Sequence, residues 1–223
     1  MLQGKTVVIT SGGTLEKWDQ VRGHTNLSKG IMGCYLAEAA IDAGANVIYL
    51  HGYFAKLPAR IQQMRQISFE GIAHLGEQLK TLLQQEKIDI VIMAAAGSDW
   101  VIDKVLDQSG NELTEQGKMP SDEPPIIHFK KAPKILPEIK KWAPHVTLVG
   151  FKLEATSDVE FLLHRARLRM ESANAAMMVA NSSLSLYGNG EPHFIVKQSG
   201  EVIQVDGKEA TAHTLMRELS RSC

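Results

Sequence analysis

The chain has 223 residues, 44% hydrophobic and 22% charged, which suits one α/β domain able to bury a core without covalent staples. A formal net charge of −1 excludes any global pull toward nucleic acid or an anionic membrane, so an anion would have to be held by a local site. The two cysteines, Cys34 and Cys223, stand far apart in no CxxC pattern, which argues against a disulfide framework or a zinc site and for a reducing cytosol.

The N-terminal run through Val7, Val8 and Ile9 is too short for a signal peptide or a membrane span, and a soluble protein is expected. Val7 to Thr10 predicts a buried first strand, stopped by a glycine loop at Ser11-Gly12-Gly13. Apolar positions Ile31, Cys34, Leu36, Ala37, Ala40 and Ile41 recur at helical spacing from Gly30 to Ala43, with Gly44 placed to close the helix. Cys34 reads as a small core residue of that helix. Val47 to Leu50 predicts a second strand, completing a βαβ unit and implying a parallel sheet. The alternation continues with a helix over 72–86, a buried strand over 88–95, a short helix over 134–142 and a strand over 146–151. Ser157-Asp158 can cap a helix running to about Ser172, and Ala176 to Ala180 predicts a further strand. His193 to Lys197 and Glu201 to Val205 flank a Gln198-Ser199-Gly200 turn as an antiparallel hairpin, before a closing helix over 209–222. The fold expected is α/β, a Rossmann-like, doubly wound, mostly parallel sheet with a C-terminal hairpin and helix, in a single domain over 1–223. The polar stretch Asp103 to Pro125 lacks periodicity and reads as a long functional loop.

In such a sheet ligands bind beyond the carboxyl ends of the strands. That rule selects Ser11, Gly12, Gly13 and Thr14, followed by Asp19, Arg22 and Asn26. It also selects Ala95 to Asp99, then Phe151, Lys152 and Glu154, and finally Asn181 and Ser182. Gly12-Gly13 lets backbone N–H groups approach a phosphate and Thr14 can add a donor, although a Gly-Gly pair is equally a tight turn. Lys130, Lys131 and Lys134 beside a predicted helix start would suit a triphosphate, or would simply be solvated. No GxGxxG or GK[ST] follows the first strand, and no tyrosine has a lysine four residues on, which counts against an NAD(P)-dependent reductase. The eight histidines show no paired-ligand spacing, and no metal site is read from them.

The segments Thr10-Ser11-Gly12-Gly13-Thr14, Asp19-Gln20-Val21-Arg22 and Thr25-Asn26-Leu27-Ser28-Lys29-Gly30 resemble the N-terminal signature of phosphopantothenoylcysteine synthetases. Ala95-Ala96-Gly97-Ser98-Asp99 is similar to the family's A-A-x-[AS]-D, and Lys118-Met119-Pro120-Ser121 to the K-I-S-S of its single-domain members. Phe129 to Ile135, Val149 to Glu154 and Val179-Ala180-Asn181 match further segments, in order, along essentially the whole chain.

The resemblance implies a ligase of coenzyme A biosynthesis. The carboxylate of 4′-phosphopantothenate attacks the α-phosphate of CTP or ATP, with Mg2+, and L-cysteine then displaces the nucleotide to form an amide. It implies that Asn26 holds the acyl-nucleotide and that Lys118 neutralises phosphate charge under a closing lid. Asp99, Ala95 and Ala96 would read base and ribose, and Lys131, Ala132, Pro133 and Phe151 would line the nucleotide pocket. Gly12, Gly13 and Thr14 would form the first loop, and Asp19 and Arg22 would shape the acyl-substrate site. A homodimer is implied as well, for which the hairpin Phe194 to Val205 offers a strand edge.

The chain departs from the family pattern in four places. Arginines at shifted positions (Arg165, Arg167, Arg169) replace helix lysines, Ser182 replaces Asp, Pro120 stands in the lid motif, and Gly23-His24 replace bulkier residues. These departures leave open a paralogue that takes another acyl acid or only binds a nucleotide.

Overall fold

The architecture is that of a computed structural model in which residues 1–113, 119, 121–186, 188 and 190–222 are described. Strand β1 (Thr6–Ser11) leads through a small antiparallel hairpin, β2 (Leu15–Lys17) and β3 (Gly23–Thr25), into helix α1 (Ile31–Asp42). β4 (Asn46–Gly52), β5 (Arg65–Phe69), α2 (Ile72–Gln85) and β6 (Ile90–Met93) follow. An antiparallel arm, β7 (Trp100–Leu106) with β8 (Ile126–Lys131), precedes α3 (Leu136–Trp142) and β9 (Thr147–Glu154). The chain ends with α4 (Val159–Ala173), β10 (Met177–Ser182), β11 (Pro192–Lys197), β12 (Val202–Asp206) and α5 (Lys208–Ser222).

Eight strands form the main sheet in the order β12-β11-β10-β9-β6-β1-β4-β5. Those from β10 to β5 pair in parallel, and β11 and β12 are antiparallel. Taken alone, the parallel strands lie in the order 3-2-1-4-5-6 of dinucleotide-binding folds. The winding direction reverses between β1 and β6, so the helices that follow those strands, α1 and α3, leave on opposite faces of the sheet, with a crevice over its carboxyl edge.

The burial pattern explains why the parallel strands are legible in the sequence. Val8, Leu50, Val91, Leu148 and Met178 pack with α2, α3 and α4 on one face. Val7, Ile9, Val149, Val179 and Ile195 pack with α1 and α5 on the other. Strands covered on both faces need unbroken apolar runs. Two helix ends also follow their local chemistry. Gly44, at φ +85°, closes α1 as its N–H reaches the Ile41 carbonyl at 2.8 Å and the Ala45 N–H reaches Ala40 at 3.0 Å. Asp158 caps α4 by accepting from the Phe161 N–H at 3.1 Å.

The structure adds elements that periodicity does not signal. β5 is a sheet edge with two exposed positions first and only Phe69 fully buried. The expected loop over 103–125 starts inside β7, so residues 103–106 are an ordered strand, and it stops just before β8; the two strands form a mostly exposed ribbon, with Val105 buried and a bulge between Ile102 and Lys104. With Val105 its one buried position, the ribbon carries no alternation to read. Cys34, expected in the core, is half-buried, with Sγ 3.2 Å from the Lys56 carbonyl. Among the described residues no helix is long and apolar enough to cross a membrane.

Candidate functional site

The site begins with a glycine after β1 and two at the start of α1, separated by the β2–β3 hairpin, that meet in space. Gly12 ends β1 at φ +81°, a conformation favouring glycine, and a Cβ there would lie 2.5 Å from the Ala55 Cβ. Gly30 precedes α1 at φ +75°, where a Cβ would meet Ser11 Oγ at 2.6 Å. A Cβ on Gly33, in the first turn of α1, would overlap Ser11 Oγ as well. These are the tight turn and close helix–strand approach that a contiguous GxGxxG supplies. Here the β2–β3 hairpin is inserted between the turn and the helix, which is why no such motif appears.

The loops after β1 and β6 are laced together. The Ala95 N–H donates to Thr10 Oγ1 at 3.0 Å, and Ala96 N–H to the Gly12 carbonyl at 2.8 Å. Thr14 N–H returns to the Ala96 carbonyl at 3.2 Å, and Ser98 N–H donates to Thr14 Oγ1 at 2.9 Å. Gly12, Gly13 and Thr14 are therefore buried beneath the crevice floor. They hold Ala95 to Asp99 in place and do not themselves form its wall.

Above them lies a cavity of about 720 Å³ over the carboxyl edge of the sheet. Asn26 and the start of α1 form one side, Ala95, Ala96 and Asp99 the middle, and Pro133, Lys134 and Phe151 the other. Lys29, Lys56, Lys134, Lys152, Arg169 and Lys208 line it, against the single carboxylate of Asp99 among the described wall residues. Lys134 is paired with Asp99, and Lys152 with Glu154 at 2.8 Å. Lys152 and then Arg165 lead the groups that hold the Glu154 carboxyl below its ordinary range against burial. The expected basic cluster is thus divided. Lys130 and Lys131 sit on exposed β8, with Lys130 paired to Asp103 at 3.2 Å, and only Lys134 reaches the cavity. Ala132 is buried behind the wall. A smaller cleft of about 330 Å³, beside Met1, Asp42 and Arg217, lies away from these loops.

Asp19 and Arg22 do not line the cavity and instead grip the polar loop. The buried Asp19 carboxylate accepts from Val21 N–H at 2.8 Å, Arg22 N–H at 2.6 Å, Arg22 Nε at 2.8 Å and Met119 N–H at 3.2 Å. Arg22 also donates through its second guanidinium nitrogen to the Met119 carbonyl at 2.6 Å. Both main-chain groups of Met119 are thereby held. Burial opposes the charge on Asp19, but the N–H donors of Val21, Met119 and Arg22 and the guanidinium outweigh it, and its pKa is lowered to about 2. Lys118 itself lies outside the described residues.

Comparison with known proteins gives the site its family. The sequence profile of the DNA/pantothenate metabolism flavoprotein C-terminal domain matches residues 2–222. The chain belongs to that family. The coenzyme A biosynthesis bifunctional protein CoaBC of Thermococcus kodakarensis is 33% identical over 195 residues, covering 87% of this chain and 45% of that protein. The chain thus spans less than half the length of that relative. The crystal structure of the C-terminal domain of a CoaBC protein is 25% identical, with a TM-score of 0.72, and the match covers 99% of this chain and 94% of that one. The Streptococcus pneumoniae DNA/pantothenate metabolism flavoprotein shares the fold over 99% of this chain and 100% of its own, with a TM-score of 0.87 at 24% identity.

Several wall residues of this family member have no signal in the sequence. Lys29 and Lys56 converge because the Lys56 N–H donates to the Lys29 carbonyl at 2.9 Å, joining the loop after β4 to the start of α1. Arg169, one of the shifted arginines of α4, does reach the cavity. His193 and Lys208 come from the C-terminal hairpin and helix, and both are almost wholly buried. Asn181, legible as the end of a strand, donates to Ser185 Oγ at 2.7 Å. His24 lies outside the cavity, edge-on to Phe129 with centroids 4.9 Å apart and Nε2 3.1 Å from the Trp100 carbonyl, linking the β2–β3 hairpin to the arm.

Proposed function

We propose that this chain joins 4′-phosphopantothenate to L-cysteine through an acyl-nucleotide, at the cavity over the carboxyl edge of the sheet. The observation that carries this reading is the charge of the wall: six cationic side chains against one carboxylate among the described wall residues, with Lys134 and Lys152 paired and the other four free of ion pairs among the described residues, in a chain whose net charge is −1. That imbalance suits two phosphorylated ligands held together, a nucleoside triphosphate and a phosphorylated acid. In the first step a carboxylate oxygen of the acid attacks the α-phosphorus and pyrophosphate leaves. In the second the cysteine nitrogen attacks the acyl carbon and the nucleoside monophosphate leaves with the C–O bonding pair.

Such chemistry needs positioning and charge neutralisation more than strong acids or bases. Ala95, Ala96 and Asp99 are assigned to the base and ribose, Pro133 and Phe151 to the nucleotide wall, and Asn26 to the acyl-nucleotide. Asp19 and Arg22 act through Met119, setting where the adjoining Lys118 can approach the phosphates. Among the described residues no group of three or more metal-ligating side chains is present. A magnesium ion would enter with the triphosphate, held largely by phosphate and water oxygens, and would help to neutralise the phosphate charge. Exposed Trp100, Ile126 and Phe129 on the β7–β8 arm suit a homodimer contact, to be checked by sedimentation.

The test is pyrophosphate release from 4′-phosphopantothenate, magnesium and either CTP or ATP, with and without cysteine. Cysteine-dependent turnover with one nucleotide is expected and would name it. No pyrophosphate from folded protein with either nucleotide would sink the reading in favour of an altered paralogue.

A further inference from the structure

Phe151, Asn181 and His193 carry the cavity onto the α1/α5 face of the sheet. Phe151 packs with that core and Val179 lies within it, Asn181 follows Val179 by two residues, and His193 is the register partner of Asn181. At this end the wall is built from polar groups that the nucleotide and acyl assignments leave unused. Lys208 is buried, and two of its N–H bonds go to the carbonyls of Ser185, at 2.6 Å, and Gly188. No carboxylate among the described residues forms an ion pair with it. A buried ammonium whose partners among the described residues are neutral carbonyls is poorly compensated by them, and an anion in the cavity would complete it.

His193 is 1% exposed, and its Nδ1 lies 3.1 Å from the Glu191 carbonyl. A carbonyl only accepts, so Nδ1 carries the proton and Nε2 keeps the lone pair. Burial, and then the neighbouring Lys208 charge, hold the imidazole below its ordinary range against the Glu191 carbonyl, which favours the neutral form. Burial likewise lowers Lys208, offset in part by Glu191.

We propose that this end of the cavity is the subsite for the amino-acid substrate, with Lys208 taking the α-carboxylate and His193 Nε2 accepting the proton that the amine loses as it attacks. The inference rests on the ligase reading. As the N–C bond forms and the acyl C–O bond breaks, the nucleoside monophosphate departs with its electron pair. The proton passes from nitrogen to Nε2 and from there to water. Asn181, fixed against Ser185, sets the floor beside the ring.

The two half-reactions separate the outcomes. His193→Asn keeps a donor for the Glu191 carbonyl but has no base. It is expected to retain the single-turnover pyrophosphate burst without cysteine, while cysteine-dependent turnover falls about 100-fold. Hydroxylamine, an amine already unprotonated at neutral pH, should trap the acyl-nucleotide equally fast in the variant and the wild type. An equal loss with cysteine and hydroxylamine overturns the base assignment, as does a lost burst with folded variant protein, which would place His193 on the nucleotide. No burst in the wild type condemns the ligase reading instead. For Lys208 the probe is cysteamine, which lacks the carboxylate. Wild type should prefer cysteine in kcat/KM, and Lys208→Met should lose that preference. A wild type that uses both equally well overturns the carboxylate assignment without any variant.

Discussion

Ser11 shows how closely the site is packed at single atoms. Its hydroxyl donates to the Gly30 carbonyl at 3.1 Å and fills the space where Gly33 lacks a side chain. Gly33→Ala is therefore expected to destabilise the fold by about 1–3 kcal/mol, because β1 and α1 must separate to admit one methyl group. A denaturation midpoint unchanged from wild type would contradict that packing. Lys118→Gln makes a different demand. If Lys118 neutralises the phosphates, the variant should fold with an unchanged midpoint and release pyrophosphate at least 100-fold more slowly. Turnover at the wild-type rate would falsify the role.

Among elements, the β2–β3 hairpin has the widest influence, since it parts the glycine turn from its helix and carries the groups that hold the polar loop. Glu16 on β2 accepts from the Ile72 N–H at 2.8 Å, supplying α2 with the N-terminal acceptor that Gly71 cannot. Asp19, in the turn between the strands, holds Met119. With its carboxyl lowered from 3.8 to about 2, the native state binds fewer protons than the unfolded chain between those values. Stability from Asp19 is therefore complete above pH 4 and is lost as pH falls through 2. Asp19→Asn should flatten the melting temperature across that window and slow pyrophosphate release by loosening Met119. A melting curve as steep in the variant as in the wild type would assign the acid sensitivity elsewhere.

For the molecule as a whole, the contrast between net charge and cavity charge governs behaviour in solution. A nucleoside triphosphate with magnesium should raise the melting temperature, by about 2.7 kcal/mol of stabilisation at a hundredfold excess over Kd. The gain should shrink as salt rises, because much of the attraction is between charges near the surface. A shift independent of ionic strength would mean that the wall cations do not meet the phosphates. The topology supplies the place for this binding, since the reversal between β1 and β6 opens the crevice in the middle of the sheet.

The buried parallel strands and their helices were readable from the chain because two-faced burial demands continuous apolar runs and helices keep a 3.6-residue period. The ordered motifs around Asn26, Asp99 and Phe151 were readable as well, as a resemblance to one family. β5 and the β7–β8 arm were not, because strands exposed over most of their length impose no alternation. Gly12, Gly30 and Gly33 were each visible, but their convergence on Ser11 depends on a hairpin folding out of the way. Lys29, Lys56 and Lys208 look like solvated lysines in one dimension. They become a cationic wall only when α1, the loop after β4 and the start of α5 come together, since proximity between residues distant in sequence is a property of packing.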